Sequence, residues 1–248
     1  QAAKNLYAID LEKRKIFIYS IDSICVPSAS KLPIADIAID ANDIYRPVLL
    51  NSGKWVDFGN IKKDSKPYLL SFYDKNGKQL FQKGTYPHTK ADYTTDELCA
   101  ASVCGYTRSA DGDHIILNYY NTDYIDLYDT LGNLEKRVQG PDIFESKMKT
   151  ISRFGETIVV PDKGSRYAYA SSPRMNANTI YTLYKGRKMS VKGYHTQTVL
   201  SFDGQLKPQT IFNLSQPIFA FDMDWHNKTL YALTHEFKDN YLVKFKMP

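Results

Sequence analysis

Residues 70–80 read L-S-F-Y-D-K-N-G-K-Q-L. The run Asp74-Lys75-Asn76-Gly77 has two readings, half of a calcium loop or a tight turn between two strands. The calcium reading fails on its own terms. A calcium loop needs alternating oxygen ligands and a carboxylate at its twelfth place, whereas Lys75 intervenes and residue 85 is Thr85. The turn reading gains support because the phrase returns, as D-L-Y-D-T-L-G-N-L at 126–134 and as L-S-F-D-G-Q-L at 200–206. Each copy has an apolar-aromatic run, a turn with Asp and Gly, and a second, more polar run. Asp and Gly are the residues that accept the tight backbone of a hairpin turn. A polar second strand suits the outer edge of a sheet.

A second phrase alternates with the first. Asp10 leads to I-F-I at 16–18, Asp224 leads to L-Y-A at 230–232, and S-A-D-G-D-H at 109–114 leads to I-I-L at 115–117. A shorter variant, N-S-G-K at 51–54, leads to Trp55-Val56. These are hairpins between inner strands. Inner at 51–54 is followed by outer at 74–77, and inner at 109–114 by outer at 129–132. Tyr73 and Tyr128 lie 55 residues apart, and Phe202 and Phe245 43 apart. Repeats of roughly 40–55 residues, each a four-stranded antiparallel sheet, are the signature of a β-propeller. The 74 residues from Tyr128 to Phe202 leave room for an insertion or a degenerate blade. Within them 166–171 and 179–184 read as strands, joined by a long loop, S-P-R-M-N-A-N. The expected fold is therefore all-β, a propeller of five to six four-stranded blades forming one domain over residues 1–248. Its last unit is short of a strand, and the N-terminal strands at 6–9 and 16–21 could supply it and close the ring. The rival, a β-sandwich, does not need two alternating hairpin types.

Bulk properties agree. Nineteen Tyr and 12 Phe against 5 Met and 2 Trp favour a pleated, half-buried surface. Helix periodicity is weak, and the best helical piece is 93–101, Y-T-T-D-E-L-C-A-A, with Thr94 or Thr95 as its cap. The net charge of +5 is spread over short clusters, which excludes the long basic stripe of a nucleic-acid binder. No apolar run approaches the roughly 20 residues of a membrane-spanning helix. The start Q-A-A-K-N-L-Y is not a signal peptide, though removal of a signal or lipid anchor would leave such a start. Cys99 and Cys104 could pair if the stretch between them is irregular. In one straight strand they would stand roughly 16 Å apart, too far for a disulfide. Otherwise they are two small thiols.

Three stretches resemble the TolB-like six-bladed propellers of gut Bacteroidetes, many of them predicted lipoproteins: I-L-N-Y-Y-N-T-D-Y-I-D-L-Y-D at 116–129, N-T-I-Y-T-L-Y-K-G at 178–186, and F-A-F-D-M-D-W-H-N-K-T-L-Y-A-L at 219–233. The likeness covers most of the chain from about Ile44. It implies export to the periplasm or cell surface and transfers no catalytic residue.

Chemistry is sparse. His88, His114, His195, His226 and His235 are scattered without metal-ligand spacing. No G-x-S-x-G nucleophile elbow is present. Asp36, Asp57, Asp92, Asp162 and Asp222 could supply a carboxylate pair from separate blades, but none is marked out. Arg46, Arg108 and Arg153 each stand near the start of a repeat unit, with Tyr45, Tyr106 and Phe154 beside them. First strands of blades line the central channel, so these arginines could converge on an anionic ligand by bidentate hydrogen bonding. Among turns and loops, 172–178 and 86–93 are the expected contact surfaces. The expectation is an exported, non-enzymatic binding or scaffold module, with no cofactor or metal, whose partner is a protein, a glycan or a small anionic ligand. Nucleic acid is not expected, and contact with a membrane only through a lipid anchor. The alternative is an envelope hydrolase or lactonase-like enzyme acting in the channel.

Overall fold

The computed structural model describes residues 5–27, 32–39, 47–60, 68–87, 92–109, 111–145, 147–153, 155–176, 178–188, 195–236 and 239–247. Short strands alternating with tight turns account for nearly all of them, and the chain divides into two compact units, 1–85 and 86–248.

The first unit holds β1 (Asn5–Asp10), β2 (Lys15–Ser20), α1 (Ile21–Cys25) and β3 (Ala35–Ala38), then β4 (Val48–Leu49), β5 (Trp55–Asn60), β6 (Tyr68–Tyr73) and β7 (Gln79–Lys83). They make two antiparallel meanders, β1-β2-β3 and β4-β5-β6-β7. Ile16, Ile39, Trp55 and Tyr73 form a core cluster to which both sheets contribute, and Tyr7 meets Trp55 edge-on at 5.5 Å. The opening stretch is the outer hairpin of the second sheet. Asp74 Oδ1 accepts from the amides of Asn76 and Lys78 at 2.8 and 2.9 Å, and Gly77 takes φ +81°. That carboxylate is spent on its own turn, as the turn reading requires.

The second unit begins with α2 (Thr95–Ala101), capped by Thr94 and Glu97 in a reciprocal capping box. Four strands follow, β8 (Cys104–Arg108), β9 (His114–Tyr119), β10 (Tyr124–Asp129) and β11 (Leu134–Gln139), in meander order. The expected insertion is a hairpin, β12 (Met148–Arg153) and β13 (Glu156–Pro161), which pairs only with itself among the described residues and packs against α2. Next come β14 (Arg166–Tyr169), β15 (Arg174–Asn176), β16 (Thr179–Lys188), β17 (Thr196–Asp203) and β18 (Pro208–Ile218). Both β14 and β15 pair with β16, so together they are one first strand broken at Ser171-Ser172-Pro173. Within the 172–178 segment, expected as a contact loop, Arg174–Asn176 are thus strand. Pro173 lacks the N–H that a continuous strand would need there. The chain closes with β19 (Ala220–Asp224), β20 (Thr229–Glu236) and β21 (Asp239–Lys246).

In this unit sheets stack face to face. Ile116, Ile125 and Leu127 of one meet Ile180, Leu200 and Phe202 of the next, while Leu183 and Val199 on that sheet's other side meet Phe221 and Leu230. Apolar residues on both faces of the middle strands are what blades packed in series demand. Five blade-type meanders and one inserted hairpin make the fold all-β and of the β-propeller class.

The three outer turns share a deeper register than the shared glycine suggested. Counting three residues on from Asp74, Asp129 and Asp203 gives Gly77, Gly132 and Leu206, all with positive φ (+81°, +78° and +57°). Gly204 is therefore not the counterpart of Gly77. Leu206 holds a conformation that costs a side-chain-bearing residue about 1 kcal/mol, and its complete burial in the blade core returns about 1.5–3 kcal/mol.

Candidate functional site

Antiparallel meanders send alternate connections to opposite ends of a sheet. In the second unit the Asp-rich turns gather at one end, where Asp111, His114, Asn178, Asp203 and Gln205 border a cleft of about 390 Å³. Their carboxylates are occupied locally. Ser109 Oγ and the Asp113 amide donate to Asp111 Oδ1, and the amides of Gln205 and Lys207 donate to Asp203 Oδ1 at 2.9 and 2.8 Å. His114 Nε2 lies 3.2 Å from Glu135 Oε2. This end is turn geometry, as expected for 111–113.

The opposite end carries the longer connections and the unusual chemistry. Asp123, in the β9–β10 connection, is wholly buried. Its Oδ2 accepts from the amides of Asp142 and Ile143 at 2.7 and 3.0 Å, and from Tyr184 Oη at 3.4 Å. Tyr184 Oη also donates to Asp142 Oδ2 at 2.7 Å. Asp123 Oδ1 and Tyr169 Oη are buried without a hydrogen bond of good geometry among the described residues. Burial pushes the Asp123 carboxyl above the usual carboxylate range, against the two amides that pull it down. Arg166 Nη2 donates to Gly186 O at 2.6 Å and stands 3.7 Å from Asp142 Oδ2. The group ties the β9–β10 connection and the 140–145 segment to the start of β14 and the far end of β16.

That carboxyl has a pH signature. The folded protein holds a proton that an unfolded Asp, with its ordinary value of 3.8, has already released. Stability from this group therefore falls as pH rises from 3.8 through the raised folded value. Asp123→Asn keeps an acceptor for the two amides and removes the charge. Relative to the parent chain, the variant is expected to be more favourable at pH 7 than at pH 4 in urea unfolding. A difference that does not change with pH would contradict the assignment.

Beside this brace β16 bulges. The pairing slips between Tyr167 and Tyr169, and Gly186 takes φ +54°. Bulges re-aim the side chains around them. Here Lys185 Nζ lies 4.7 Å from the centre of the Tyr167 ring, and Arg187 pairs with Tyr167 across the ladder. The His195 ring stacks on His235, centroids 6.1 Å apart and planes nearly parallel, and meets Phe219 edge-on at 5.4 Å. Burial and then Arg187 bring Lys185 down to about 8. Burial, His235, Arg187 and Lys185 all hold His195 below its ordinary value.

The residues singled out in the sequence are scattered. Tyr45, Arg46, His88 and Phe154 lie outside the described residues. Tyr106 is buried in β8, and Arg108 ends that strand half-buried. Since β8 is an end strand of its sheet, both occupy the first-strand position expected of them. Arg153 differs from expectation. It is exposed at the tip of the inserted hairpin, opposite Glu156, and does not begin a blade. Cys99 sits in α2 and Cys104 in β8, and both are thiols. Cys99 Sγ lies 3.4 Å from Tyr86 Oη, and burial raises its pKa, which keeps it protonated and a poor nucleophile. Asp36, Asp162 and Asp222 are each committed to a cation, Lys15 at 2.8 Å, Lys149 at 3.1 Å and Arg174 at 3.2 Å.

No family model and no curated protein matches the chain. Solved structures do. A member of the DUF4221 family from Bacteroides vulgatus matches over 98% of this chain and 76% of its own, at 10% identity and a TM-score of 0.52. The WD40 domain of Neurospora crassa Pan2 matches over 94% of this chain at 10% identity and a TM-score of 0.49, and the chain spans 56% of that domain's length. A luciferin-regenerating enzyme matches over 90% of this chain and 64% of its own, at 12% identity and a TM-score of 0.43. The DUF4221 likeness shows the fold, that of a β-propeller.

Proposed function

We propose that the chain is a non-enzymatic binding or scaffold module of the cell envelope, working in the periplasm or at the cell surface, and that it takes its ligand or partner protein at the connection end of the second unit. The observation that carries this reading is how the buried carboxylates there are used. Asp123 is engaged by two backbone amides, and Asp126 by Arg137 and Tyr119. Both act as braces that hold the framework rigid beneath the connections, and a rigid frame with varied loops is how propellers carry function. The TolB-like stretches at 116–129, 178–186 and 219–233 support the envelope location. The arginine constellation expected in the channel remains part of this proposal through Arg108, with Tyr106 on the same strand, and through Arg46 and Tyr45, which lie outside the described residues.

One observation favours the hydrolase alternative: Tyr184 links the raised carboxyl of Asp123 to that of Asp142, and paired carboxyls are the equipment of glycoside hydrolysis. A panel of chromogenic glycosides, esters and lactones separates the two. The binding module gives no turnover above buffer, while immobilised protein shows saturable binding to an array of glycans and acidic small molecules. Turnover that vanishes in Asp123→Asn assigns the chain to the hydrolases instead.

A further inference from the structure

We propose that the outer edge of β18 is a self-association surface, at which two copies of the chain pair edge to edge about a two-fold axis at Ile211. This goes beyond the binding-module reading, which a monomer would satisfy equally. β18 is an end strand of its sheet, bonded to β17 on one side and to no strand on the other among the described residues. The amide and the carbonyl of Thr210 both turn inward, to Ser201 Oγ of β17, at 3.0 and 3.2 Å. Backbone groups alternate in direction along a strand, so those of Gln209, Ile211 and Asn213 point toward the open edge.

Side chains at this edge are as open as the backbone. Ile211 lies opposite Leu200 in the ladder, so the two share a face of the sheet. On that face a groove of about 350 Å³ separates β18 from the end of β11, with Leu200, Phe202, Pro141 and Pro208 among its walls. Leu200 and Phe202 are buried there, while Ile211 is 61% exposed. The opposite face is occupied: Phe212 packs on Tyr181, ring centres 5.9 Å apart.

Charge selects the occupant. An open edge invites another strand, and proteins guard such edges with charged side chains, Lys above all. The other outer strands are guarded in this way: β7 carries Lys83, β11 carries Glu135, Lys136 and Arg137, and β21 carries Asp239, Lys244 and Lys246. β18 reads P-Q-T-I-F-N-L-S-Q-P-I and carries no charge. Two copies of such a strand meet without like-charge repulsion, and its pattern is self-complementary. Antiparallel pairing about Ile211 sets Gln209 opposite Asn213 of the second copy, Ile211 opposite Ile211, and Asn213 opposite Gln209. These are the residues whose backbone groups face outward, and such pairs exchange both of their hydrogen bonds. Isoleucine then covers isoleucine and amide meets amide across the ladder. Each copy uses the same patch, so the contact closes on itself as a dimer and does not propagate. Beyond Asn213 the pairing with β17 slips, and Pro208 stands before Gln209. Both features bound the ladder, so the interface is small and the association weak.

Sedimentation of the intact chain is expected to show a monomer–dimer equilibrium with a dissociation constant between roughly 1 μM and 1 mM. Amide exchange is expected to slow with rising concentration at Gln209, Ile211 and Asn213, and not at Thr210, whose amide is already bonded inside the sheet. Ile211→Lys puts like charges opposite each other and is expected to weaken association at least about tenfold, as is Ile211→Glu. Mixed in equal amounts, the two variants are expected to regain association, because lysine then faces glutamate. That recovery also separates a lost contact from a lost fold. Leu242→Lys, at a 69% exposed position of β21, is expected to leave the equilibrium unchanged. A chain that stays monomeric to about 1 mM overturns the proposal. So does a dimer that persists in Ile211→Lys, or a mixture no more associated than either variant alone. Concentration-independent protection of β18 in a monomer, by a peptide or a small apolar ligand in the groove, overturns it in favour of that occupant.

Discussion

Arg137→Ala lowers the unfolding free energy of the second unit by about 3–5 kcal/mol, the usual result of stripping one partner from a buried ion pair. Asp126 is wholly buried in the third strand of the β8–β11 sheet. Arg137, its partner in the adjoining strand, grips it with Nε on Oδ1 and Nη2 on Oδ2, both at 2.7 Å. Tyr119 donates to Oδ2 at 2.6 Å from the other side, and Tyr128 reaches the same oxygen at 3.4 Å. The alanine variant leaves the carboxylate inside the blade with its tyrosine contacts and no cation, and an unpaired buried charge is costly. Removing both partners is gentler. Asp126→Leu with Arg137→Leu fills the space with apolar groups, and such replacements are often neutral. Urea midpoints followed by Trp225 fluorescence separate the outcomes, because Trp225 packs on Tyr181 in this unit, with ring centres 5.6 Å apart. A midpoint unchanged by Arg137→Ala would show that the pair does not brace the blade.

This brace shows where reading by pattern stops. Asp126 stands in Y-I-D-L-Y, a charge in the middle of an apolar strand, and Arg137 stands in the polar strand after the turn. Counting back from the turn at Asp129–Gly132 pairs Asp126 with Lys136, because a register shift between Leu127 and Tyr128 is what brings Arg137 opposite it. The turns themselves were readable because they are local: Asp74, Asp129, Asp203 and Asp224 act on backbone amides two to four residues away. The Asp123 brace was not readable, because its partners lie 19, 20 and 61 residues on and no spacing rule links them. Arg153 misled for the same reason. Its S-R-F context looks like other blade starts, and only strand pairing places it on an inserted hairpin. Leu206 shows the limit of glycine as a marker, since burial there supports a backbone conformation that a turn elsewhere gives to Gly77.

Gly77→Ala is expected to cost about 3 kcal/mol, the sum of about 1 kcal/mol for a side chain at positive φ and about 2 kcal/mol for overpacking. At φ +81° the added Cβ would lie 2.3 Å from the carbonyl oxygen of Ala38 and 3.3 Å from Ile39 Cα. Those are backbone atoms at the end of β3, and no rotamer change can move them away. Retreat would disturb Ile39, which is buried with Trp55 and Tyr73 and whose amide donates to Arg14 O at 2.8 Å. Gly53→Ala provides the control. Gly53 has nearly the same conformation, φ +77°, but its Cβ would meet nothing within 4 Å, so it is expected to lose only the conformational share, about 1 kcal/mol. The chain has 2 Trp, so in a Trp225→Phe background Trp55 alone reports on the first unit during urea unfolding. The two variants should then differ by about 2 kcal/mol, the overpacking share alone. Equal losses would mean that the outer turn does not sit against the end of β3 and that Gly77 is needed only for its backbone angle. A larger loss at Gly77 ties the Asp-Lys-Asn-Gly turn to the packing of one sheet on the next, which is a demand no isolated hairpin makes.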